Sequence, residues 1–95
     1  MRTQLNVRDS DGTVVFTRGM PSGGSALTID YAIRTSRPVL HIDLVVVDLA
    51  AAASRIRGWC NDEAIQILNV AGSRDSEAPG IGAEAHNILV RALTK

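Results

Sequence analysis

A lone cysteine, Cys60, in 95 residues leaves no internal disulfide to form, and no cysteine and histidine cluster has the spacing of a zinc site. The thiol reads as a buried group at a helix end. Charge of either sign is equally scarce: ten basic residues cancel ten acidic ones, which removes the attraction that non-specific nucleic-acid binding or polybasic membrane attachment draws on. With only three aromatics, Phe16, Tyr31 and Trp59, the chain has few platforms on which bases could stack. No apolar run approaches the roughly 20 residues needed to span a bilayer, and the first residues carry no charged-then-apolar signal pattern, so a cytoplasmic protein is expected. What is present, 45% hydrophobic and 21% charged residues, reads as one small globular domain. A domain of this size buries only about 60 to 65% of its unfolded surface, which makes oligomerisation a reasonable expectation.

Three prolines punctuate an alternating pattern. After the turn cluster Asp9, Ser10, Asp11 and Gly12, the run from Thr13 to Thr17 is β-branched and apolar on consecutive positions, as suits a strand covered on both faces. Ser25 to Ser36 predicts a helix with Leu27, Ile29 or Tyr31, and Ile33 inward, ended by Pro38. Val39 to Leu44 predicts the second strand, and Asp48 caps a helix carrying Leu49, Ala52, Ala53, Ile56 and Trp59, with Gly58 and Asn61 marking its end. The third strand is read at Gln66 to Ala71. The last helix runs from about Pro79 to Leu93, with Ile81, Ala85, Ile88, Leu89, Ala92 and Leu93 on one side. Alternation of three strands with three helices predicts a parallel α/β layer structure of the Rossmann kind, with every strand-to-helix loop at one edge of the sheet.

Two of those loops carry chemistry. Arg18 to Thr28, RGMPSGGSALT, leaves a strand and enters a helix, delivering free backbone N–H groups and the positive end of a helix dipole to one spot. Gly23 and Gly24 have no side chain to keep an anion from the backbone, and Ser22, Ser25 and Thr28 add hydroxyls. Asn69 to Gly80, NVAGSRDSEAPG, repeats the arrangement. The plain alternative is a tight turn with a serine cap. Arg74 reads either as a forked phosphate contact or as a partner of Asp75 or Glu77. Arg18 reads as a phosphate clamp or as a solvated loop residue. Asp43 reads as a ribose ligand or as a turn residue. His41 is read as structural, His86 as solvated and Trp59 as helix packing.

GSRDS at Gly72 to Ser76 after an apolar strand resembles the first-strand motif of the SLOG superfamily of nucleotide-binding Rossmannoid domains, and SGGSALT at Ser22 to Thr28 resembles its second phosphate-binding loop. The two occur here in reversed order. NVRDSDGTVVFTRG at Asn6 to Gly19 and LNVAGSRDSEAPGI at Leu68 to Ile81 are similar to the circularly permuted YpsA-like branch, which carries the label molybdenum carrier. Members of that branch open with a GGQTGAD-like strand, loop and helix, so residues 1–95 are expected to form one truncated domain of this type. The resemblance implies a three-layer fold with strand order 3-1-2, helices on both faces, and both glycine loops at the switch point between strands one and three. It implies a nucleotide or a nucleotide-derived ligand such as an ADP-ribose derivative. The residues expected to hold it are Arg18, Gly19, Ser22, Gly23, Gly24, Ser25, Thr28 and Asp43 from the first half. Gly72, Ser73, Arg74, Ser76 and Glu77 come from the second. No catalytic residue, cofactor or metal ligand is assigned.

Two other functions stay open at this level. Relatives of the lysine-decarboxylase-like branch cleave the N-glycosidic bond of nucleoside monophosphates with a PGGxGTxxE motif, whose glutamate is missing here, with Asp30 near its place. The loop and helix SGGSALTIDYAIRTSRPV also resembles DprA-type single-stranded DNA binders, which the neutral charge disfavours. A homodimer or larger assembly is expected, with Val45, Val46 and Val47 as the apolar surface that a second copy would cover.

Overall fold

The computed structural model describes residues 7, 9–73 and 78–94. In chain order it contains β1 (Gly12–Thr17), α1 (Gly23–Arg34), β2 (Val39–Asp43), α2 (Leu49–Asp62), β3 (Leu68–Gly72) and α3 (Ile81–Leu93). The strands lie in the order β2-β1-β3 and both pairings are parallel, which is the expected 3-1-2 order seen from the other side. Every residue of β1 is buried, because this strand has a neighbour on each edge and helices on each face. No helix among the described residues is long and apolar enough to cross a membrane.

The register fixes what each face carries, since alternate residues point to opposite sides. Val14 lies between Leu40 and Val70, and Phe16 between Ile42 and Gly72. This face forms the main core with Val47, Ala52, Ala53 and Ile56 from the α2 side and Ile81, Ala85, Ile88 and Ala92 of α3. Thr13, Val15 and Thr17 face the other way, toward α1.

That second layer departs from the sequence reading. The buried residues of α1 are Ser25, Thr28 and Ala32, whereas Leu27 and Ile33 are each 63% exposed. Among the helices given above, α1 covers this side of a narrow sheet, and the floor beneath it offers threonines, so small residues bring α1 close while the larger apolar ones flank it. The helix also starts earlier than expected, at Gly23, with Gly23 itself at φ 53°. α2 runs through Gly58, a glycine with open space where a Cβ would stand, and continues to Asp62. α3 begins after Gly80, which takes φ 82° as its N-cap, and not at Pro79. Strand β2 ends at Asp43. Leu44 to Val46 form a turn that returns Val47 to the core, so of the valine trio only Val45 and Val46 stay exposed, at 72% and 76%.

Helix ends are satisfied unevenly. Asp48 accepts from the Ala51 N–H at 2.8 Å and caps α2. Arg57, on α2, donates to the carbonyls of Arg91 at 2.6 Å and Ala92 at 3.2 Å, meeting the C-terminal acceptors of α3 with a positive charge where the helix dipole favours one. Trp59 and Cys60 pack against the core at half burial, and desolvation pushes the Cys60 thiol above its ordinary pKa, the environment of a structural rather than a reactive cysteine.

Candidate functional site

At the carboxyl end of the sheet, β1 turns sharply at Gly19, whose φ of 91° suits glycine. Both its backbone groups are held. Its N–H donates to Asp43 Oδ1 at 2.8 Å, and its carbonyl accepts from the Thr17 hydroxyl at 2.7 Å. A hydroxyl has one proton, so the 2.7 Å contact between Thr17 Oγ1 and His41 Nε2 must be donated by the histidine, which fixes the hydrogen on Nε2. Two successive same-face residues of β2, His41 and Asp43, therefore brace the turn after β1. Asp43 Oδ1 also accepts from the Val45 N–H at 2.9 Å. The turn role of Asp43 is thus visible in its bonds. The Gly19 and Val45 donors hold its carboxyl below the ordinary aspartate range. The Thr17–His41 pair was not recognised from sequence: a period of two puts His41 and Asp43 on one face of β2, but their partner on β1 is set by the register between the strands.

α1 then starts with little to close it. Ser22 stands at the N-cap position with extended backbone, but its side chain makes no capping bond, and its carbonyl accepts from the Ser25 N–H at 3.1 Å. A Cβ at Gly24 would meet nothing within 4 Å, so the backbone there is open to solvent. Ser25 is buried, and Thr28 is buried with its hydroxyl returned to the Gly24 carbonyl at 2.9 Å, one turn inside the helix. Of the first-loop candidates, Ser22, Gly23 and Gly24 lie at the exposed helix start, while Gly19, Ser25 and Thr28 are built into the turn and the helix.

The second loop meets the first across β1. The Ser73 N–H donates to the Phe16 carbonyl at 3.0 Å, and a Cβ on Gly72 would come within 2.5 Å of that same oxygen, so only glycine lets β3 pass here. Gly72 and Ser73 open into a cleft of about 310 Å³ between β3 and α3, floored by Phe16 and Val70 and walled by Ile81, Gly82, Ala85, His86 and Leu89. The N-terminus of α3 borders this cleft through Ile81 and Gly82. Arg18 leans the same way and pairs with Glu84 in the first turn of α3 at 2.5 Å. Arg74, Ser76 and Glu77 lie outside the described residues. The rim thus gathers the ends of β1 and β3 with the starts of α1 and α3, one helix on each side of the sheet. The cleft belongs to the α3 side, and Gly23 and Gly24 to the other. Among the described residues no cluster of three or more histidine, cysteine or acidic side chains could hold a metal ion.

Far from the rim, Asp11 Oδ2 accepts from the N–H groups of Ile67 at 2.8 Å and Gln66 at 2.9 Å, and these bonds hold its carboxyl below the ordinary range. Asp11 and Asp43 thus staple opposite ends of β1. A depressed folded-state pKa means that the unfolded chain binds more protons as pH drops below about 4. The stabilisation is therefore complete above that pH and is lost as pH falls through the folded values. Thermal unfolding between pH 7 and 3 should show a steeper acid decline for the native sequence than for the Asp11→Asn, Asp43→Asn double variant. Parallel pH profiles would show that these staples carry no such linkage.

The profile of the Circularly permutated YpsA SLOG family matches residues 1–93. The crystal structure of a "Putative molybdenum carrier protein from Syntrophus aciditrophicus SB" superposes with a TM-score of 0.94 at 41% identity, covering 98% of this chain and 59% of that one. The chain therefore spans about three fifths of the length of that relative. A search of the curated proteins gave no match.

Proposed function

Because the chain belongs to the circularly permutated YpsA SLOG family, we propose that it is a binding module for a nucleotide or nucleotide-derived, phosphate-containing small molecule, of which an ADP-ribose derivative is one example. One observation carries the reading. The helix start after β2 is capped by its own Asp48, while that of α1, which leaves β1 beside the switch point with β3, has no side-chain cap from Ser22. Uncapped N–H groups with the positive end of a helix dipole are donors suited to phosphate oxygens. Ser22, Gly23 and Gly24 supply this set, and Gly72 and Ser73 stand on the neighbouring strand end, with Arg74, Ser76 and Glu77 assigned to the same loop by sequence. The name of the Syntrophus relative refers to molybdenum, and molybdate, the tetrahedral oxyanion of that element, is a second ligand to test because the same donors serve it. Asp30, near the place of a glycosidase glutamate, is exposed and pairs with Arg34 at 2.9 Å one turn along α1, which favours binding over cleavage. We further propose that the module works in the cytoplasm and that it self-associates.

The test is a thermal-shift screen with phosphate, molybdate, AMP and ADP-ribose, since a ligand bound only by the native state raises apparent stability. The best ligand is then titrated against Gly24→Val. Valine finds open space at this position, so the variant should fold and melt within a few degrees of the parent, yet its side chain stands where the anion must approach the backbone. A drop in affinity of more than about tenfold, or 1.4 kcal/mol, is expected. Unchanged affinity in the folded variant would remove α1 from the site. Release of free base from AMP would replace a binder with an enzyme.

A further inference from the structure

An ion pair ties the turn after β1 to the start of α3, and we propose that it sets how tightly the rim takes an anion: Glu84 holds the Arg18 guanidinium in reserve, and a ligand phosphate binds by taking it from Glu84. The proposal rests on the phosphate site argued above and names what regulates it. Arg18 Nη2 and Glu84 Oε1 meet across 66 positions of sequence. β1 ends at Thr17, which is in register with Asp43, and the Gly19 N–H is bonded to the Asp43 carboxylate. The backbone of Arg18, between these two, is therefore held beside the switch point, and what moves is its side chain.

The position of Glu84 keeps that side chain away from the cleft. Gly82 and His86 line the cleft, and each is two residues from Glu84. Two residues turn a helix through about 200°, so Glu84 stands on the far flank of α3 and draws the guanidinium there. The guanidinium comes to lie beside Gly80, the N-cap of α3, where a Cβ would stand 3.7 Å from Arg18 Nη2.

The two partners are unequally placed. Glu84, in the first turn of α3, lies at the positive end of the helix dipole, which stabilises a carboxylate and opposes a cation. Arg18 thus stays beside Gly80 against the field of the helix, through its bond to Glu84. When the pair opens, Glu84 keeps a favourable position, whereas Arg18 gains by leaving. Both side chains are partly exposed, so water solvates the released carboxylate. A phosphate group offers the guanidinium the same forked acceptor as a carboxylate, and a phosphate monoester at neutral pH carries about 1.5 to 2 negative charges in place of one. The exchange therefore runs toward a terminal phosphate, at a cost in affinity equal to the pair that is broken.

The test is calorimetric titration with inorganic phosphate and with AMP of the wild type, Glu84→Gln, Arg18→Ala and the double variant. Both side chains reach the surface, so all four proteins should fold, which their melting temperatures check. Glutamine keeps the shape of glutamate without its charge, and Glu84→Gln should bind both probes about fivefold more tightly, the upper end for a partly exposed ion pair. Arg18→Ala should bind more weakly than the wild type. In that background Glu84→Gln should change affinity by less than about twofold, because the gain requires the guanidinium that it frees. Weaker binding by folded Glu84→Gln would make the pair a clasp that builds the site, and equal gains with and without Arg18 would make Glu84 a distant charge. Either result, or unchanged affinity in Glu84→Gln, overturns the exchange and leaves the anion site standing. Failure of phosphate and AMP to bind any of the four proteins overturns the anion site and the exchange with it.

Discussion

Gly72→Ala is expected to destabilise the protein by about 2 to 4 kcal/mol, although it adds a single methyl group. The methyl carbon would sit 2.5 Å from the Phe16 carbonyl oxygen and 3.4 Å from the Phe16 carbonyl carbon and Cβ. Backbone in the middle of a sheet cannot swing aside as the end of a lysine can, so β3 must move away from β1. Overpacking of this kind costs roughly 1 to 3 kcal/mol, and the Ser73 to Phe16 hydrogen bond, lost with it, contributes about 1 more. Urea unfolding followed by circular dichroism measures the change. Gly24→Ala is the control, because its added carbon meets nothing within 4 Å, and its midpoint should stay at or slightly above that of the parent. Equal stability of the two variants would mean that β3 does not run so close to β1.

Phe16→Ala should be worse. Phe16 is 1% exposed, the largest of the fully buried side chains, and it stands at the centre of the face shared by α2 and α3. Its truncation removes apolar contact and leaves a cavity, a cost of about 3 to 5 kcal/mol. Against a total stability of about 5 to 15 kcal/mol, the lower part of which suits so small a domain, that loss leaves a large unfolded fraction. Each kcal/mol corresponds to about 4 to 8 °C in a domain of 60 to 100 residues, so the melting temperature should drop by at least about 12 °C. Phe16→Leu, which keeps much of the volume, should lose less than half as much. A melting temperature within 3 °C of the parent for Phe16→Ala would show that the residue is not where the core is anchored.

The alternation of apolar strands with amphipathic helices made the architecture readable, and the family resemblance supplied the arrangement 3-1-2. The third helix was clearest because Ile81, Ala85, Ile88 and Ala92 recur at helical spacing and all are buried. α1 was misread for a physical reason. Hydrophobic periodicity assumes that large apolar residues face the sheet, and here Ser25, Thr28 and Ala32 do so because the sheet presents Thr13 and Thr17 to them. The valine trio failed similarly: a turn after Asp43 folds Val47 back onto the core and leaves its two neighbours exposed, and local pattern does not reveal which residue of a turn points inward. At the rim, glycines and hydroxyls marked the helix starts, but the bracing of Gly19 by Asp43 depends on the register between β1 and β2, which local pattern does not give. The ion pair of Arg18 with Glu84, 66 positions away, was equally beyond local pattern.

The polar seam beneath α1 sets where the molecule opens first. Beside Val15 and Ala32 the seam is built of Thr13, Thr17, Ser25 and Thr28, which bury little hydrocarbon, whereas the opposite face closes over Phe16, Ile42, Ile56 and Ile88. Hydrophobic stabilisation scales with apolar area removed from water, so α1 is held by the smaller share and can detach while the other layer persists. Its amides should exchange hydrogen for deuterium through a partial opening of lower free energy than those of α2 and α3. An anion seated on the first turn of α1 would then slow exchange along the whole helix, because ordering that turn removes the opening through which the later amides escape.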